Sequence, residues 1–303
     1  MRDIVFGFGG DTGIEDPSVL LRAAVQADED GLDLVSVADH PYIGGNLDAY
    51  SAIGFLLGRT RQLAGLVNVT NLPTRPAPML SRAVTSLSAL SGGRVVLGMG
   101  AGGRLGRIAT MGVPLLTPGA AVEAFEEAIV LVKALSGGGR PVTFEGRHYR
   151  VDQVEPAPVP APAVWTGSVG PRSLAVTGRV ADGWIPGHAA DWLSERYRTS
   201  RLVIDEAAAA GRDPGEIRTI FNFPGAITER PLAATRDRDG RWVGGSVDQW
   251  VEELTGAVLD HGASGFTLFS PGGGEYGLTA LRRWGLDIAP AIREAVEKER
   301  AAA

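Results

Sequence analysis

The 303-residue chain predicts a single closed parallel (β/α)8 barrel, or TIM barrel, with loop insertions. Three observations predict it. Short apolar runs alternate with longer stretches of helical periodicity from end to end. The runs are continuously apolar, as strands buried on both faces require. Eight strand–helix pairs follow one another, more than an open doubly wound sheet, the runner-up architecture, usually carries.

Residues 4–8 form the first run, after which Asp16 as N-cap and Pro17 at the first helical position open a helix that Gly31 stops. Residues 32–38 make the second strand, and a helix over about 48–61 leads to the third, 63–70. The next helix places Leu80, Ala83, Leu87 and Leu90 on one face and ends at Gly92-Gly93. Residues 94–99 are the fourth strand; beyond a glycine-rich loop, Thr117-Pro118 opens a helix with Val122, Phe125, Ile129 and Val132 at core spacing. Residues 140–162 break the rhythm, and a hairpin around Glu145-Gly146 followed by prolines 156, 158, 160 and 162 reads as an insertion, not a domain boundary.

The alternation resumes with strand five at 163–166, a helix from Pro171, strand six at 182–186, an alanine-rich helix over about 190–210, and strand seven at 217–226. A polar loop then precedes Ser246-Val247-Asp248-Gln249, which has the form of a capping box before Trp250, Leu254, Ala257 and Val258. Strand eight is 264–269, and the last helix is expected to fray at Lys298-Glu299-Arg300.

With no cysteine, the chain has no disulfide, no thiolate nucleophile and no cysteine metal site. The 29 basic and 35 acidic residues give a formal charge of -6 without a polybasic run, so a nucleic-acid partner lacks its electrostatic footprint. No apolar run approaches the roughly 18 residues of a membrane span, and Met1-Arg2-Asp3 leads straight into a strand; a cytoplasmic protein without a membrane partner is expected.

In a barrel of this kind the chemistry sits past the carboxyl ends of the strands. The polar residues there are Asp11, Asp39-His40, Asn68, Thr70, Asn71, Ser168, His188, Asn222 and Ser270. His40 is a candidate acid or base, and Asp39 beside it would orient a ligand or accept a donor from one. Residues 98–103 satisfy the GxGxxG pattern, yet no helix opens directly from them, so they read as a tight turn that lets a flat ligand approach rather than as a dinucleotide fingerprint. Two glycine-rich helix starts, at 167–171 and 270–274, are both suited to a phosphate, and spacing alone does not choose between them. No His/carboxylate cluster has metal-ligand spacing and no GxSxG elbow is present.

Several stretches taken together resemble the luciferase-like monooxygenase superfamily of flavin- and deazaflavin-dependent oxidoreductases. They are Val35-Ser36-Val37-Ala38-Asp39-His40, Val69-Thr70-Asn71-Leu72-Pro73-Thr74-Arg75, the segment from Leu90 through Gly102, Gly146-Arg147-His148-Tyr149 and Ala181-Asp182-Gly183-Trp184. The resemblance implies a flavin-type ring across the barrel mouth, either coenzyme F420 or FMN, and a phosphate at Gly167, Ser168, Val169 and Gly170. It further implies ring contacts from Asp39, Ala101 and a strand-three bulge at Asn68-Val69 with a non-prolyl cis peptide, and a proton role for His40. Gly44 and Gly103 stand where sugar-phosphate dehydrogenases of this kind carry tryptophan and glutamate, which argues against sugar-phosphate oxidation; Leu72 is an extra residue relative to the reductases that work on methylene carriers.

The expected activity is F420-dependent hydride transfer to or from a small organic substrate. The alternative is a two-component monooxygenase using reduced FMN, with a flavin or F420 reductase as electron donor. A non-catalytic flavin-binding barrel and a redox-free phosphate-handling barrel are rivals, the latter without a strand-end lysine or paired carboxylates. A homodimer is expected by family analogy. Tyr42, Trp184 and the loops at 104–116 and 228–245 are candidate walls of the substrate site.

Overall fold

Eight parallel strands close on themselves in the computed structural model, which describes residues 3–187, 191–270 and 277–302. In chain order the elements are β1 (Val5–Gly9), α1 (Ser18–Glu29), β2 (Leu34–Val37), α2 (Ala49–Arg59), β3 (Ala64–Asn71), α3 (Ala77–Ser91), β4 (Val95–Gly100), a short α4 (Leu105–Ala109) and α5 (Pro118–Ala134). The hairpin strands β5 (Val142–Glu145) and β6 (Arg150–Val154) follow, then β7 (Ala163–Thr166), α6 (Pro171–Val180), β8 (Gly183–Trp184), α7 (Glu195–Ala209) and β9 (Arg218–Pro224). A two-stranded pair, β10 (Ala226–Ile227) and β11 (Gly244–Gly245), leads to α8 (Val247–His261), β12 (Gly265–Phe269), α9 (Leu278–Arg283), a π-turn (Trp284–Ile288) and α10 (Ala289–Ala302).

The barrel runs β1, β2, β3, β4, β7, β8, β9, β12 and back to β1. Closure decides against the open sheet. Side chains along each strand alternate between two cores, as the period of two demands. Val5, Leu34, Leu66, Val96, Trp165, Ile185 and Ile220 fill the barrel interior. Their neighbours Phe6, Val35, Val67, Leu97, Val164 and Phe221 face the helices. Trp165 is wholly buried inside the barrel, and Gly183 on the adjacent strand makes room for it: a Cβ there would stand 2.5 Å from the indole Cδ1.

Several expectations need correction at the level of elements. Helix α1 begins at Ser18, because Pro17 already occupies the cap position; Asp16 still accepts the Ser18 N–H through Oδ1 at 3.2 Å. On α3 the buried face includes Leu80, Ser81, Val84, Thr85 and Ser88, whereas Leu90 is exposed; apolar spacing alone could not see that serine and threonine belong to that face. Strand six is only two residues long. The last helix stays helical through Ala302 instead of fraying at residues 298–300. The hairpin turns at residues 146–149, not at Glu145-Gly146, because the Glu127 carboxylate of α5 accepts the N–H groups of Arg147, His148 and Tyr149 at 2.7, 2.8 and 3.0 Å. That anchoring gives the Gly146-Arg147-His148-Tyr149 stretch a structural role. The polar loop after strand seven carries the unforeseen β10–β11 pair.

Candidate functional site

The carboxyl ends of the barrel strands surround a cavity of about 720 Å³. Its floor is shaped by β3, whose pairing with β4 shifts register between Val67 and Thr70, and whose Asn68–Val69 peptide is cis. Val69 lies between two glycines of neighbouring strand ends. A Cβ on Gly100 would stand 2.8 Å from Val69 Cγ2, and one on Gly167 would stand 3.2 Å from it. The glycines thus admit an apolar shelf that lines the cavity together with Ala101. Asn68 is fixed from the side: its Nδ2 donates to Ser36 Oγ at 2.9 Å.

Asp39 and His40, adjacent in sequence, have different environments. Asp39 is buried, and Arg75 grips both its oxygens, with Nε to Oδ2 at 2.8 Å and one Nη to Oδ1 at 2.9 Å; the Asn71 N–H also donates to Oδ2 at 2.9 Å. The same guanidinium bonds Asp48 and lies 4.7 Å over the Tyr50 ring, whose hydroxyl pairs with Thr70 Oγ1 at 2.6 Å. Burial by itself would lower the Arg75 pKa, but the two carboxylates outweigh it and hold the guanidinium firmly charged. Burial pushes the Tyr50 phenol up. The Asp39 oxygens are therefore engaged by the bulge and by Arg75. His40 is exposed at the rim, and its Nδ1 pairs with Tyr42 hydroxyl at 3.0 Å, which leaves Nε2 without a partner among the described residues.

Opposite this rim, the chain leaves β7 through Gly167, Ser168 and Val169 and enters α6 at Gly170, whose helix start carries no capping side chain. Ser168 is buried, with its Oγ 2.9 Å from Thr177 Oγ1, and the Trp184 indole N–H donates to the Ser168 carbonyl at 2.9 Å. The first-turn N–H groups of such a helix form an anion site.

Asp39, His40, Asn68, Val69, Ala101, Gly167, Ser168 and Val169 all line the one cavity, as do Tyr42, Asn71 and Asn222; Gly170 stands behind the wall as the cap of α6. Asp11 is not among the lining residues and closes a local turn through the Gly13 N–H at 2.9 Å. Trp184 is buried, stacks on Tyr197 with centroids 5.8 Å apart, and braces the Ser168 loop instead of forming a wall. Gly98 lies below the mouth, where a Cβ would collide with the Val67 carbonyl at 2.1 Å; Gly100, Gly102 and Gly103 line the cavity, as a turn admitting a flat ligand should. His188 and the second glycine-rich start from Pro271 onward lie outside the described residues.

Sequence reading missed the roles of Arg75, Asp48 and Tyr50. A signal for Arg75 was available: an aspartate at a barrel strand end that is buried needs a cation, and Arg75 follows the neighbouring strand. The side-chain oxygens of Asn71 and Asn222 are buried without a hydrogen-bond partner among the described residues.

The model of the luciferase-like monooxygenase family matches residues 4–284. The chain is 31% identical over 206 residues to the phthiodiolone/phenolphthiodiolone dimycocerosates ketoreductase of Mycobacterium kansasii, covering 66% of this chain and 53% of that protein. It is 32% identical over 253 residues to the F420-dependent glucose-6-phosphate dehydrogenase of Nakamurella multipartita, covering 77% and 71%. The match thus spans about half the length of the ketoreductase. Among solved structures, the F420-dependent tetrahydromethanopterin reductase of Methanopyrus kandleri superposes with a TM-score of 0.78 over 96% of this chain and 100% of that one at 18% identity, a likeness of fold.

Proposed function

The chain belongs to the luciferase-like monooxygenase family, and from that premise we propose that it is an oxidoreductase that seats coenzyme F420 across the barrel mouth and passes a hydride between that ring and a small organic substrate. The observation that carries this reading is the cavity itself: an apolar Val69 shelf, an uncapped helix start past Gly167 at one end and His40 at the other. These residues fit a flat ring bearing a phosphate. Val69 and Ala101 offer an apolar surface, the Asn71 amide has hydrogen-bonding capacity left unmet within the protein, and the α6 N-terminus attracts an anion. The relative named as F420-dependent supports the deazaflavin; the family description as monooxygenases favours FMN as the second reading.

When bound, F420 supplies or accepts the hydride. The chain's residues do the rest. Val69 would offer the ring its apolar support. Ser168 and the N–H groups at the start of α6 would hold the phosphate. Asp39 and Arg75 act at one remove, by fixing the bulge and the Asn71 backbone. His40, its Nδ1 engaged by Tyr42, carries a proton to or from the substrate heteroatom at Nε2. In the FMN reading, a separate reductase supplies the reduced flavin.

The test is a titration of the purified protein with oxidised F420 and, separately, with FMN, followed by absorbance and fluorescence quenching. Saturation by F420 with much weaker FMN binding is the expected result. A preference for FMN moves the protein to the oxygenase reading, and failure of both to bind defeats the proposal.

A further inference from the structure

The proton role read for His40 requires one ring nitrogen to face the cavity with its lone pair free when the ring is neutral. A free imidazole in water does not arrange this, since its neutral form prefers the proton on Nε2. In many proteins a carboxylate or a backbone carbonyl holds the other nitrogen and so chooses the tautomer. The neighbouring carboxylate does not do so here: Asp39 is gripped at both oxygens by Arg75 and by the Asn71 N–H. Tyr42 stands in that place, with its hydroxyl 3.0 Å from His40 Nδ1.

Local chain geometry brings the two side chains together. The Ile43 N–H donates to the His40 carbonyl at 2.9 Å and closes a turn with Pro41 and Tyr42 at its centre, proline being favoured at the first of those positions. Pro41 fixes its own φ and so limits how far the turn can swing. The segment that follows is pinned to the loop after β1, where the Ile14 N–H donates to the Gly45 carbonyl at 2.9 Å and the Leu47 N–H to the Thr12 carbonyl at 2.8 Å. The loop after β4 brings the Arg107 guanidinium over the Tyr42 ring, 6.0 Å from its centroid, and the buried Ile108 anchors the short helix α4 that carries it. Both His40 and Tyr42 line the central cavity.

We propose that Tyr42 is a positioning residue for His40: its hydroxyl oxygen accepts the Nδ1–H in the neutral and the cationic ring alike, so the proton that comes and goes does so at Nε2. The consequence for turnover rests on the proton role given to His40; the tautomer does not. When Nε2 takes a proton from a substrate heteroatom, the heteroatom–H bond breaks and an N–H bond forms on the ring's lone pair. The ring is then an imidazolium that still donates Nδ1–H to Tyr42. Return of the same proton restores the neutral Nδ1–H form, and the ring never has to turn over.

The experiment is 15N nuclear magnetic resonance of the histidine rings in the full chain, without coenzyme or substrate, at about pH 9, where an imidazole is neutral and a phenol keeps its proton. His40→Ala assigns the His40 signals. The wild type should show an unprotonated Nε2 and a protonated Nδ1 on His40. Tyr42→Phe keeps the aromatic ring and removes the hydroxyl; it should shift the tautomer ratio about tenfold toward Nε2–H, the effect of one hydrogen bond. The signals of the other histidines should stay where they are, which separates loss of this bond from loss of structure. A wild-type His40 that carries its proton on Nε2, or a ratio indifferent to Tyr42→Phe, would overturn the proposal. The wild-type spectrum decides by itself if the variant does not fold. Because no coenzyme is present, failure of the F420 titration leaves this result standing, and the two readings fail separately.

Discussion

At the level of single residues, the neighbours Asp39 and His40 divide their labour, and substitution separates them. His40 is exposed, and its polar contact among the described residues is with Tyr42, so His40→Ala should fold and bind cofactor normally. If it handles the proton, turnover falls by roughly 10²–10⁴-fold; rates within a factor of two of the wild type in steady-state assays would remove that role. Arg75→Ala does the opposite. It leaves the Asp39 carboxylate buried with only the Asn71 N–H, at a cost of about 3 kcal/mol or more. Urea unfolding measures this, and combining it with Asp39→Asn should recover part of the loss, since the stranded charge is gone. That Asp39 belongs to the mouth was legible from its position after strand two. That its oxygens would be occupied by Arg75 was not, because the two residues are 36 positions apart and meet only when β2 and β3 pair.

At the level of elements, the anion site depends on how α6 lies against α7. Gly178 is the contact: a Cβ there would stand 2.3 Å from the Ile204 carbonyl oxygen and 2.8 Å from Ala207 Cβ. Gly178→Ala is therefore expected to push the helices apart, costing about 1–3 kcal/mol. Because adjacent Thr177 holds Ser168 and Thr166, F420 should bind more weakly as well. Thermal unfolding and the absorbance titration check the two effects together; unchanged stability would mean that the helices accommodate the methyl group freely. Helix starts were well marked in the sequence, and Gln249 does reach back to the Ser246 N–H at 3.1 Å as a capping box requires. The same side chain also clasps Leu232 at both N–H and carbonyl, which no local pattern announces. Apolar periodicity misassigned Leu90 for a related reason: the buried face of α3 is partly serine and threonine, which an apolar pattern does not mark.

At the scale of the whole molecule, the end of the barrel opposite the cavity is tied by a carboxylate. Asp28, in the last turn of α1, accepts the N–H groups of Arg61, Gln62 and Leu63 at 2.8, 2.8 and 2.7 Å where the chain enters β3. Burial alone would raise its pKa; the three N–H donors and the nearby Arg94 charge outweigh burial and hold it below the ordinary carboxylate value. Asp48 is likewise lowered, because Arg75 and the Ser51 N–H outweigh burial. Both groups contribute stability that is complete above the unfolded carboxylate value of about 3.9 and is lost as pH falls through the lower folded values. Stability should accordingly drop on acidification below about pH 4. Asp28→Asn should cost about 1–3 kcal/mol at neutral pH, since its new NH₂ would face the Arg61 N–H, and should flatten the acid dependence. A melting series from neutral to acid pH tests this; an acid profile identical to the wild type would exclude Asp28 as a contributor.

What the chain determined locally was its rhythm: eight apolar runs, their intervening helices, and the glycines and polar residues that must gather at the carboxyl ends once strands run parallel. Helix and strand periods, caps and turns act over a few residues and so can be read in order. Tertiary structure alone decided that Val69 rises between Gly100 and Gly167, that Arg75 takes both Asp39 oxygens, and that Trp192, Phe223 and Trp242 line a second cavity beside the mouth. Those contacts join residues from separate strand ends and loops, and their strength comes from burial and fixed direction, which exist only after the barrel has formed.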